Sequence, residues 1–142
     1  MSLISRLAAV LLLLAVFVVP ARADDGAALQ GAWQLQSGEF INAEGALVDY
    51  ASQKLAGTKL LADGRFAFTT TSDGKFWAGG SGTYRAEGNR YVESPLMASY
   101  PLENGGSYEF RYTLEGDVWT LERWHGERRV EREVWKRAPA SR

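Results

Sequence analysis

Residues 108–119 read Tyr-Glu-Phe-Arg-Tyr-Thr-Leu-Glu-Gly-Asp-Val-Trp, and the fold is written in that stretch. Tyr108, Phe110, Tyr112 and Leu114 alternate with Glu109, Arg111 and Thr113. Successive side chains of a strand point to opposite faces, so a repeat of two describes a strand with one face on a core and the other in water. Glu115-Gly116-Asp117 then breaks the pattern with residues that tolerate the positive φ angles of a tight hairpin, and apolar residues resume at Val118-Trp119.

The same punctuation recurs along the chain at Glu44-Gly45, Asp63-Gly64, Asp73-Gly74, Glu87-Gly88-Asn89, Asn104-Gly105-Gly106 and His125-Gly126-Glu127. Short runs rich in aromatic, Thr and β-branched residues lie between these turns, as in Arg65-Phe-Ala-Phe-Thr69. Evenly spaced strands joined by hairpins predict an all-β protein, a single antiparallel up-and-down barrel of about eight to ten strands. Closure removes the exposed edges that an open meander would leave. Two segments are expected to interrupt the meander at the barrel rims: Val48–Leu55, with room for a helical turn, and the proline-bounded Pro95–Pro101. The glycines of Trp77-Ala-Gly-Gly-Ser-Gly-Thr-Tyr84 predict a bulge or sharp bend. They do not make a phosphate-cradling loop, which needs a following helix and a Lys-Ser/Thr pair.

Residues 1–23 have the form of a secretory signal peptide: Arg6, an apolar run from Leu7 to Val19, a break at Pro20, and Ala21-Arg22-Ala23 as the cleavage site. A 13-residue run is too short to span a bilayer as a helix. An exported protein, periplasmic or secreted, is therefore expected, with no membrane span once the leader is removed. The expected organisation is a short disordered lead-in at 24–29, the barrel at 30–138, and a disordered tail at 139–142. There is no cysteine, which excludes disulfides, thiol nucleophiles and Cys-based metal sites and leaves the fold to stand on its core. Without the leader the chain holds 14 basic and 17 acidic residues, a mild net charge of −3 that argues against nucleic acid as a partner. Arg123, Arg128, Arg129, Arg132, Lys136 and Arg137 interleave with Glu122, Glu127, Glu131 and Glu133, which reads as a solvated, self-paired strand face.

Gly31-Ala-Trp33 on the first strand, with Trp135-Lys-Arg137 on the last, resembles the calycin superfamily of lipocalins and fatty-acid-binding proteins. More closely, the chain is similar to small bacterial secreted proteins called lipocalin-like, a family of unassigned function. Asp63–Phe66, Gly80–Tyr84, Glu87–Glu93 and Glu115–Trp119 extend that resemblance over most of the chain beyond the leader. It implies that Gly31, Trp33, Trp135 and Arg137 close the barrel, with Trp33 stacked on Arg137, or on Lys136. An indole face attracts a guanidinium by roughly 0.5–2 kcal/mol. The fatty-acid-binding relatives carry an anion-binding Arg and a Tyr two residues apart on the last strand. Glu133 and Trp135 stand in those places here, which speaks against a fatty-acid carboxylate as ligand.

The catalytic inventory is thin, with one histidine, His125, in a turn. No catalytic residue, metal site or cofactor is expected. Glu131, Glu133, Trp135 and Arg137 share one face of the last strand, and Glu93 shares a face with Tyr91. A buried carboxylate needs partners, and two readings follow. Either Glu93 and Glu133 pair with Arg123, Arg137 or tyrosine hydroxyls in a filled core, or they line a ligand cavity walled by Phe66, Tyr84, Tyr91, Phe110 and Trp119. The expected function is non-catalytic binding of a small apolar or amphipathic molecule, with Glu133 or Arg137 fixing its polar end. The alternatives are a filled-barrel interaction module acting through its surface or rim loops, and an enzyme using paired carboxylates in the barrel mouth.

Overall fold

A computed structural model describes residues 25–102 and 105–140. The expected signal peptide and cleavage site, with Asp24, residues 103–104 and residues 141–142, lie outside the described residues. The chain runs α1 (Asp25–Leu29), β1 (Gly31–Ile41), β2 (Leu47–Asp49), a 3-10 turn (Tyr50–Gln53), β3 (Leu55–Ala62), β4 (Arg65–Ser72), β5 (Lys75–Glu87), β6 (Arg90–Ala98), β7 (Tyr108–Glu115), β8 (Val118–His125) and β9 (Arg128–Arg137). Eight of the strands, β1 and β3 to β9, pair antiparallel with their chain neighbours, and β9 returns to β1 to close the barrel. β2 is a short flap on the far half of β1. The closed up-and-down barrel is compatible with a calycin-like fold.

The turns do what their residues dictate. Asp63-Gly64 and Asp73-Gly74 both have positive φ at both central positions, as type I′ hairpins require. Gly88, Gly116 and Gly126 carry φ near +60° at the first central position of three further two-residue turns. The turn expected within 48–55 is the 3-10 turn, started by the Asp49 carboxylate accepting from the Ala51 amide at 2.6 Å. The glycine-rich stretch is a bulged strand, with register shifts at Thr70/Thr71 opposite Ala78/Phe76 and at Ser81/Gly82 opposite Met97/Pro95.

Two expectations are corrected. Residues 95–98 do not leave the meander: Pro95 sits inside β6 at the β5 register shift, where a bulge spares a ladder amide that proline lacks. Residues 25–29 are not a disordered lead-in but a short helix whose Leu29 is fully buried. That helix plugs one end of the barrel. The Trp33 indole Nε1 donates to the Leu29 carbonyl at 2.8 Å, and the Tyr84 hydroxyl donates to the Gly26 carbonyl at 2.9 Å. Arg137 lies opposite Trp33 in the β1–β9 register, with its guanidinium carbon 4.2 Å from the Trp33 ring centre. Its two terminal nitrogens donate to the carbonyls of Gln30 (2.7 Å) and Ala28 (2.9 Å). Gly31 has φ +125°, and a Cβ there would stand 2.9 Å from the Arg137 side chain, so glycine answers both demands. Trp33, Leu61, Phe66, Tyr84, Tyr91 and Trp119 fill the lumen above this plug.

Trp33→Ala is expected to destabilise the protein by about 3–5 kcal/mol, as large-to-small core changes do. Arg137→Lys, which keeps the charge but loses the forked donor geometry, should cost less. The urea midpoints of the two variants measure both effects, and an unchanged midpoint for Trp33→Ala would refute the plug.

Candidate functional site

The opposite end of the barrel is open. A cavity of about 500 Å³ enters it between the 3-10 turn, the β4–β5 hairpin and the segment after β6. Phe40, Tyr50, Trp77, Tyr100 and Tyr108 ring the outer part, and Phe68, Phe110 and Trp135 line it further in. Among these rings the wall presents five charged side chains: Lys59, Glu93, Arg123, Glu131 and Glu133. The lumen is thus filled at the plugged end and hollow at the other.

Lys59 and Glu93 form the floor. β3 alternates Leu55, Gly57, Lys59 and Leu61 toward the lumen, which puts the lysine between glycine and leucine on the buried face. Its Nζ lies 2.7 Å from Glu93 Oε1, and the two side chains are only 4% and 6% exposed. The Tyr91 hydroxyl donates to the same oxygen at 2.9 Å. The ammonium also lies 5.1–5.9 Å from the ring centres of Phe68, Tyr91, Trp119 and Trp135. Burial acts to lower the Lys59 pKa, but the negative charges of Glu93 and then Glu133 outweigh it and the pKa is raised. The lysine is therefore cationic. Burial, then Glu93, raises the Tyr91 pKa well above the usual phenol value and keeps its hydroxyl a donor.

Glu131 and Glu133 stand above this floor on β9. Glu133 accepts from the Tyr50 hydroxyl (3.0 Å) on one oxygen and from Trp135 Nε1 (2.8 Å) on the other. Glu131 accepts from Arg123 Nε (2.8 Å) and from the Tyr50 hydroxyl (3.3 Å). Tyr50 reaches both because Gly38 lies beneath it: a Cβ on Gly38 would come within 2.5 Å of the ring. Burial and then the neighbouring Glu133 charge push the Glu131 carboxyl up to about 7, against the opposing pull of Arg123 and Lys59. Burial, with both carboxylates close by, raises the Tyr50 pKa as well.

Of the expected ligand-binding residues, Glu93, Phe110 and Glu133 line the cavity. Phe66, Tyr84, Tyr91 and Trp119 do not; they belong to the packed half of the lumen, and Tyr91 acts only through Glu93. Trp135 lies on the closing seam opposite Leu35 as expected, but it walls the cavity rather than joining the plug. Arg137 is in the plug and outside the cavity wall, so neither a ligand's polar end nor Glu93 or Glu133 meets it. The interleaved charges of β8 and β9 divide between two faces: Arg129 and Arg132 pair with Glu122 outside, whereas Arg123 and Glu131 pair inside. Lys59 and Tyr50, the carboxylate of Glu131 and the rings of Phe40, Phe68, Trp77, Tyr100 and Tyr108 are site residues that sequence reasoning missed. The period of two through 55–61 carried the signal for Lys59; nothing local marked Tyr50. Among the described residues, no group of three or more His, Cys, Asp or Glu is placed to hold a metal ion, and no helix is long and apolar enough to cross a membrane. Comparison with protein-family models returns no match, and comparison with curated proteins returns none.

Removing either partner of the Lys59–Glu93 pair leaves a buried charge uncompensated, so Lys59→Met and Glu93→Leu are each expected to cost about 3–5 kcal/mol. The double variant should recover most of that loss, a coupling that urea unfolding of all four species measures. A carboxyl raised from its ordinary value to about 7 binds a proton more readily folded than unfolded. Between those two values the folded state holds more protons, so this group's contribution to stability falls as pH rises toward 7. Glu131→Gln should flatten that slope in thermal melts between pH 5 and 7, estimated from the ordinary carboxyl range.

Proposed function

We propose that this protein is an exported, lipocalin-like, non-catalytic binder of a small apolar or amphipathic molecule, held in the open half of its barrel. The open cavity of about 500 Å³ carries this reading. Its size and lining, aromatic walls with a small number of charged and polar groups among them, are those of a small-molecule site. Burying a ligand's apolar body against these rings contributes roughly 25 cal/mol per Å² of apolar surface. The barrel topology and the Gly31–Trp33–Arg137 closure are in keeping with a calycin relative, and the apolar leader of residues 7–19 supports export.

The test is titration with N-phenyl-1-naphthylamine, a neutral apolar fluorophore. Saturable one-to-one enhancement is expected in the wild type. Ala78→Phe places a ring in the cavity wall and should abolish the enhancement without lowering the melting temperature. Native mass spectrometry of protein from its own host should show a co-purifying small molecule. Absence of both saturable binding and a co-purifying molecule would overturn the reading.

A further inference from the structure

We infer that the cavity is built for an amphiphile with a cationic, ammonium-type head, held by Glu133 and Glu131 within the aromatic ring of the mouth. The inference rests on the reading of the cavity as a ligand site and specifies the ligand's charge. Five charged side chains line the cavity, three acidic and two basic. Lys59 is committed to Glu93 at 2.7 Å and Arg123 to Glu131 at 2.8 Å. Among the described residues no ion pair reaches Glu133, whose oxygens are held by two neutral donors, Tyr50 and Trp135. Glu133 thereby faces the aromatic-lined cavity with no ion-pair partner among the described residues.

Aromatic faces supply the second component. An ammonium is attracted to the negative face of a ring, most strongly where water is excluded. The mouth places Phe40, Tyr50, Trp77, Tyr100 and Tyr108 around the carboxylates. The barrel already holds one ammonium in this way: the Lys59 Nζ sits against Glu93 and among four rings. An anionic head meets the opposite situation, because the Lys59 charge is already neutralised beneath a wall of carboxylates. Burial, then repulsion from Glu133, raises the Glu131 pKa; a ligand cation beside the two carboxylates offsets that repulsion, so binding displaces the proton held there at lower pH. The groups facing that pair are Arg123 from β8, Lys59 from β3, Glu93 from β6, Tyr50 from the 3-10 turn, and Tyr100 and Tyr108 around the following segment and β7.

The experiment compares three probes of one chain length by calorimetry: octyltrimethylammonium, which cannot titrate, octanol and octanoate. The ammonium is expected to bind at least about tenfold more tightly than the other two. Its affinity should fall several-fold from pH 8 to pH 6, while that of octanol stays constant. Glu133→Gln should remove most of the ammonium preference and leave octanol binding intact; Glu131→Gln should remove the pH dependence. The head-group comparison on the wild type needs neither variant to fold. Octanol or octanoate binding as well as the ammonium overturns the charge assignment and leaves the carrier reading standing. Failure of all three to bind, together with failure of the neutral fluorophore, overturns both.

Discussion

β1 pairs with β9 from Trp33↔Arg137 at one end to Phe40↔Glu131 at the other, and that register decides what each end of the lumen contains. Six residues of β9 separate Arg137 from Glu131, about 20 Å at the rise of an extended strand. One strand therefore delivers a guanidinium to the plug and two carboxylates to the mouth. A bulge in β1 between Leu35 and Ser37 fits the facing strand to both ends. The extra residue exchanges the two faces of the strand, so Trp33 points inward before the bulge and Gly38 lies opposite Glu133 after it. Without the shift a side chain would occupy the space that Tyr50 fills, and neither Glu131 nor Glu133 would receive its hydroxyl.

The plug and the mouth handle charge in contrasting ways. Arg137 spreads its charge over an indole face, two backbone carbonyls and the exposed Asp117 carboxylate at 3.3 Å, close to solvent and without drawing on a buried acid. Lys59 is enclosed and relies on Glu93, Tyr91 and surrounding rings together. Glu131 and Glu133 share one tyrosine hydroxyl, and burial, then the charge of Glu133 beside it, raises the proton affinity of Glu131. The partners differ because depth differs: each step away from water requires more fixed donors or counter-charges per ionised group.

The fold was legible because the signals that specify it are local. Asp-Gly and Gly-Asn turns and a period of two are written within a few residues, and the barrel follows from their spacing. The Trp33–Arg137 contact was legible through resemblance, although its 107-residue hydrogen-bond span from Gln30 to Arg137 has no local trace. The division of the lumen was not legible. Phe66 and Phe110 look alike in sequence, and only the tilt and register of the strands put the first in the packing and the second on the cavity. The α1 plug was misread as a frayed end because five residues carry no helical period; its order comes from Leu29 filling the base of the barrel. Pro95 was misread for a similar reason, since a bulge at Leu96 in β6 itself removes the penalty that proline has in a regular ladder.

Stability alone gives no reason for five charged side chains inside so small a barrel. Exchanging a buried ion pair for well-packed apolar residues is often neutral or stabilising. The plugged half shows that this chain can fill a lumen: Trp33, Trp119, Tyr91 and Leu121 are sealed there with almost no exposed surface. The open half keeps a hollow and polar interior beside that solution, in the same strands and often two residues away. Where a sequence departs from its own packing rule over a contiguous patch, function is the usual cause. Here the departure is confined to one end, faces one cavity, and gives Glu133 hydrogen bonds from two neutral donors and no ion pair among the described residues, the pattern on which the proposal of a cationic ligand head rests.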